Sequence, residues 1–177
     1  MAISIGRRKD PGDLVDTLLD CHERIRRFSG IAQRLADAQG AAEADIAEAA
    51  ESVRRYFREG LPHHVADEEE SILPRLRGKD PDADRALETM EREHRSHEPR
   101  LARLVELCTT LATTPSRHPE LAADLRTLST ELAEELERHL ALEEEVTFPA
   151  IRRHLSEDQQ RTIAEEMSRR RRPQPVS

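Results

Sequence analysis

The segment HHVADEEESILPRL, residues 63–76, is written again in outline as RHLALEEEVTFPAI, residues 138–151. His64 aligns with His139, Ala66 with Ala141, Glu68 with Glu143 and Pro74 with Pro149. Each copy places a glutamate four residues after a histidine. Residues four apart on a helix are neighbours on one face, so each copy aims an imidazole and a carboxylate at one point.

The flanking residues say which face that is. Ile46, Ala50, Val53, Phe57, Leu61, His64, Glu68 and Ile72 follow one another in steps of three or four, as do Leu121, Leu125, Leu128, Leu132, Leu136, His139, Glu143 and Val146. Both apolar stripes therefore run straight through the His and Glu positions. A charged group on a buried face is costly unless it is paired or bound to a metal. The same periodicity marks two further helices, over about residues 13–38 (Leu14, Leu18, His22, Ile25) and 82–112 (Leu87, Met90, His94, His97, Leu101, Leu104). Gly60, Pro62 and Pro99 are expected to weaken or kink their helices, and Pro74 to end the second.

Composition agrees with helix. Of 177 residues, 36% are hydrophobic and 36% charged, glycine is scarce and aromatics number four, which suits amphipathic helices rather than sheet. The expected fold is all-α: an up-down-up-down four-helix bundle over residues 12–153. A short fifth helix follows, opened by a Ser156/Gln159 capping box, and residues 154–177 end in an Arg-rich disordered tail. In such a bundle the starts of helices 1 and 3 share an end with the stops of helices 2 and 4. His22 lies nine residues after Asp13, His94 twelve after Asp82, His64 nine before Leu73 and His139 nine before Phe148. All four fall roughly 13–18 Å from one end at ~1.5 Å per residue, in a single layer.

One buried histidine reads as a core residue with a satisfied imidazole. Four histidines and two carboxylates in one layer read as a metal site: His22, His64, Glu68, His94, His139 and Glu143. Six such ligands are too many for one tetrahedral zinc, and there is no HExxH. They suit two iron ions that share two carboxylates and an oxo or hydroxo bridge. Glu69, Glu70, Glu144 and Glu145 are rotated off the stripe and are expected to point to solvent or to the bundle's flanks, with His63, His118 and His154 on the surface.

As a set, these residues resemble the hemerythrin-like (HHE cation-binding) family over about residues 12–153. Its order is a histidine on the first helix, HxxxE on the second, a histidine on the third and HxxxE on the fourth, with endings like EEESILPRL and EEEVTFPAI. The resemblance implies iron and O2-related chemistry. Its oxygen carriers have a second third-helix histidine four residues after the first, and an aspartate five residues after the fourth-helix histidine. Here position 98 is Glu98, with His97 beside it, and Glu143 lies four after His139. That third-helix place falls to His97, to Glu98 or to solvent.

The function expected is a non-haem di-iron protein that binds O2 or reacts with a small oxidant such as hydrogen peroxide or nitric oxide; catalase-like decomposition of peroxide is one form of it. The alternatives are an iron- or oxygen-sensing module, with the fifth helix and Arg-rich tail as readout, and a metal-free structural bundle. A net charge of −8 gives no support for nucleic acid, and the run RRRR (169–172) reads as solvated. No stretch approaches the ~18 apolar residues of a membrane span. MAISIGRRKD lacks the apolar core of a signal peptide, and Cys21 and Cys108 fit a reduced cytoplasmic chain, monomer or homodimer.

Overall fold

In the computed structural model, which describes residues 13–172, α1 spans Leu14–Ala36 and α3 spans Pro81–Thr113. Helical segments run on without a break over 43–76, which we name α2, and over 118–154, named α4; α5 is Glu157–Arg170. Asp13 caps α1 through the Val15 amide, and Asp80 caps α3 through the Asp82 amide at 2.8 Å. α1 packs against α2 and α4, and α3 packs against the same two. With loops this short, consecutive helices run antiparallel, giving the expected four-helix bundle. Among the described residues there is no strand.

The core divides into two apolar clusters. One gathers Ile25, Leu35, Val53, Phe57, Leu104, Leu125 and Leu136. The other gathers Leu14, Leu18, Ile72, Leu87, Met90, Phe148 and Ile151, together with Ile163 and Met167 of α5. The histidine layer lies between them.

Prolines shape α2 and α4. A proline offers no N–H, and its ring collides with the carbonyl four residues back. The chain meets this three times in one way. The residue before each proline donates five residues back: Leu61 to the Tyr56 carbonyl, Leu73 to Glu68 and Phe148 to Glu143. The π-helical turns Tyr56–Gly60, Asp67–Ile72 and Glu143–Thr147 thus lie just before Pro62, Pro74 and Pro149. The widened turn makes room for the ring. Pro74 therefore does not end α2, which continues to Leu76, and α3 passes Pro99 as continuous helix. At Gly60 a Cβ would sit 2.9 Å from Tyr56 Cδ2, so glycine lets that ring cover the first π turn.

α5 opens with the expected capping box, Ser156 and Gln159 each bonding the other's amide. The Arg-rich run is corrected. Arg169 and Arg170 are helical, and Arg170 and Arg171 grip Asp67, a fully buried carboxylate of α2. An acidic buried partner draws them onto the bundle. The PQPVS ending and residues 1–12 lie outside the described residues. Among those described, no helix is long and apolar enough to cross a membrane.

Candidate metal centre

Each bundle helix delivers its polar residues at the seam between the two apolar clusters. His22 stands between Leu18 and Ile25, and His64 and Glu68 between Leu61 and Ile72. His94 lies between Met90 and Leu104, and His139 and Glu143 between Leu136 and Phe148. All six expected ligands are buried. Phe148 closes one wall, its ring centroid 4.9 Å from that of His22.

The six form two overlapping sets of four. One ligand atom each from His22, His64, Glu68 and Glu143 lies within 4.8 Å of the others, and the same holds for Glu68, His94, His139 and Glu143. Both carboxylates belong to both sets, and each divides its oxygens between them. Glu68 Oε1 is 3.2 Å from His64 Nε2, and its Oε2 is 3.3 Å from His94 Nε2. Glu143 Oε2 is 3.0 Å from His22 Nε2, and its Oε1 is 2.7 Å from His139 Nε2. Two carboxylates shared between two pairs of imidazoles form two sets that could each hold a metal ion.

Three further glutamates fix the rings. Nδ1 of His22 meets Glu144 Oε1 at 2.7 Å, Nδ1 of His94 meets Glu69 Oε1 at 2.8 Å, and Nδ1 of His139 meets Glu93 Oε2 at 2.8 Å. An ionised carboxylate only accepts, so each Nδ1 carries the proton. Nε2 then turns a lone pair inward, the tautomer a metal requires. Glu144 is held below the usual carboxylate range: burial raises it, but Arg26 and His22 outweigh that.

The interior is thus lined by electron-pair donors facing one another. Both oxygens of Glu68 and both ring nitrogens of His64 are buried without a hydrogen-bond partner. Such a set is unfavourable unless cations or protons lie within it, so the donors fit a metal pair. The acid–base balance shows the same strain. Burial, then the Glu143 charge, pushes the Glu68 carboxyl well above its ordinary value. Burial also acts on Glu143, but His139 and His22 outweigh it and hold that carboxyl well below its ordinary value. His139 is lowered by burial, yet Glu143, with Glu68 and Glu93, draws it up to about 9. Burial drives His64 down to about 3.

A cavity of about 460 Å³ reaches the layer beside His64, His94 and His139. Its inner walls are apolar, from Ile25, Phe57, Leu61, Val65, Leu101 and Leu136, and its mouth carries Glu69, Glu70, Arg95 and Glu98. His97 and Glu98 both line it, and neither belongs to a ligand set. His97 is buried, with Nε2 3.9 Å from Glu135 and its ring centroid 5.6 Å from His139; burial lowers its pKa. Glu98 is exposed.

Some outward assignments are corrected. Glu69 and Glu144 take the flank: each reaches a histidine on a neighbouring helix, Glu69 while still 40% exposed, because one step past Glu68 or Glu143 turns the side chain ~100°. Glu70 and Glu145 are exposed, although Glu70 pairs with Arg170. His118 is buried, bonding the Leu35 carbonyl at 2.7 Å, while His63 and His154 are half-buried. Glu93, which meets His139, and Asp67, beside Glu68, are buried or half-buried carboxylates of the layer that the periodicity did not single out; their signal was adjacency to His94 and Glu68.

Against known families, the chain matches the hemerythrin HHE cation-binding domain over residues 13–151. No curated protein matches it. The chain belongs to the hemerythrin family, and its His/Glu layer is compatible with metal binding.

Proposed function

We propose that this chain is a non-haem di-iron protein, holding two iron ions joined by an oxo or hydroxo bridge, that binds O2 or reacts with a small oxidant such as hydrogen peroxide or nitric oxide. The observation that carries this reading is the division of oxygens at Glu68 and Glu143, one to each histidine pair. Imidazole and carboxylate donors suit iron, and two shared carboxylates set a two-metal spacing. Iron bound there would supply redox exchange and open positions for a small ligand.

The protein's own groups do the rest. Glu68 and Glu143 offset the cations' charge. Glu69, Glu93 and Glu144 keep three imidazoles in the metal-binding tautomer. The apolar-walled cavity admits small uncharged molecules to His94 and His139 while its charged mouth stays wet. His97, kept neutral by burial, faces that cavity as a hydrogen-bonding group rather than a ligand. The two buried free cysteines fit residence in a reducing cytoplasm.

Metal analysis with an optical spectrum tests the reading. Protein reconstituted with Fe(II) should hold about two irons per chain and, once oxidised, show a near-UV oxo-to-iron absorption; a chain that stays metal-free refutes it. Stopped-flow comparison of O2 uptake with peroxide consumption separates a carrier from a peroxide-decomposing enzyme.

A further inference from the structure

We propose that Asp67, clasped by Arg170 and Arg171, positions the bridging Glu68, so that the C-terminal helix outside the family match is a working part of the metal centre. The inference rests on the two-metal reading above.

Asp67 has no exposed surface. Arg170 Nη1 donates to Oδ1 at 3.0 Å and Arg171 Nη2 donates to Oδ2 at 2.5 Å, so each oxygen has its own guanidinium. Arg170 also donates to Glu70 at 3.0 Å and to Ser71 Oγ at 2.8 Å. Three residues of the π turn Asp67–Ile72 are thereby held from outside, and Glu68 is the second residue of that turn. Arg171 is itself braced, donating from Nη1 to the Met167 carbonyl at 2.8 Å, and Nη2 lies 3.9 Å from the sulfur of Cys21, the neighbour of His22. The end of α5 thus touches residues adjacent to ligands on two different helices.

Docking of α5 has other sources. Ile163 and Met167 are buried in the core, and Arg75 binds Glu166 at 2.7 Å. A buried ion pair adds little net stability compared with apolar packing, and its better-attested use is fixing one arrangement among several. A π turn needs such fixing, because relaxation to α-helical pitch would rotate every following side chain. Tying Asp67 to α5 holds the rotation that aims Glu68 between His64 and His94.

Full-length variants test this by anaerobic Fe(II) titration against a competing chelator. Asp67→Asn and the double change Arg170→Ala/Arg171→Ala should each weaken Fe(II) binding tenfold or more. Ser156→Ala, which removes the cap at the opposite end of α5, should stay within threefold of the parent. A purely electrostatic role would move the first two in opposite directions, since removing arginines favours a cation and removing a carboxylate disfavours it. Stronger binding in the double variant, parent-like binding in both, or a loss matched by Ser156→Ala each overturns the proposal. If circular dichroism shows the double variant unfolded, Asp67→Asn decides alone. Parent protein that binds no Fe(II) refutes the two-metal reading instead.

Discussion

His94 Nε2 lies 3.1 Å from His139 Nε2, while the far nitrogen of each ring is held by a glutamate. Two imidazoles locked in this way point lone pairs at each other. That contact is favourable only with a cation or proton between them, which makes the pair one half of the centre. Glu68 and Glu143 connect it to the other half, His22 and His64.

Loss of a bridging residue should therefore differ from loss of a histidine. Glu143→Ala removes an oxygen from both sets, and metal analysis should find both irons depleted together. His22→Ala removes a ligand from one set only, and about one iron per chain should remain. Equal stoichiometry in the two variants would argue against shared carboxylates.

The outer glutamates predict a smaller effect. Glu93→Gln and Glu69→Gln keep the ring contacts but reverse or weaken the bond that fixes the tautomer. Metal affinity should fall about 10- to 100-fold, as for other partners of ligating histidines. The helical circular dichroism should not change, since neither residue is in the apolar core.

Metal uptake should also depend on pH, with a definite sign. His139 keeps its proton up to about pH 9, and Glu68 is raised well above the ordinary carboxylate range. A metal must displace those protons, so uptake at neutral pH releases protons, and each one released makes affinity rise about tenfold per pH unit. The rise should flatten near the His139 value. His64, drawn down to about 3, contributes nothing to the slope at neutral pH. Calorimetry in buffers of different ionisation enthalpy counts the protons; a count of zero would contradict the assignment.

The bundle and the layer that gathers His22, His64, Glu68, His94, His139 and Glu143 were legible in the sequence because both rest on spacing along single helices. Steps of three and four place His64 and Glu68 on the stripe whatever surrounds them. What escaped depends on contacts between helices. Nothing in EEE distinguishes Glu69 from Glu70 until His94 of α3 stands 2.8 Å from the first and Arg170 of α5 stands 3.0 Å from the second. Asp67 lies off the stripe and RRRR read as a solvated tail; each is explained only by the other. His118 was misplaced for the same reason: its acceptor is a backbone carbonyl on α1.

Pro74 and Pro149 supply the prediction that most separates function from stability. Each lies six residues after a bridging glutamate, and the residue before it bonds that glutamate's own carbonyl. The prolines thus explain why the two copies of the opening motif share their proline as well as their His and Glu. Pro149→Ala restores an N–H and removes the ring, so the turn Glu143–Thr147 can relax to α-helical pitch. Alanine is intrinsically favoured over proline inside a helix by about 3 kcal/mol, although the π turn has already relieved much of that. The metal-free variant should therefore melt at the same temperature as the parent or higher. Its iron affinity should drop, because Glu143 rotates away from the point between His22 and His139. Thermal melts of the metal-free proteins beside Fe(II) titrations check both halves. A variant that binds iron as tightly as the parent would show that the proline does not set the carboxylate's aim.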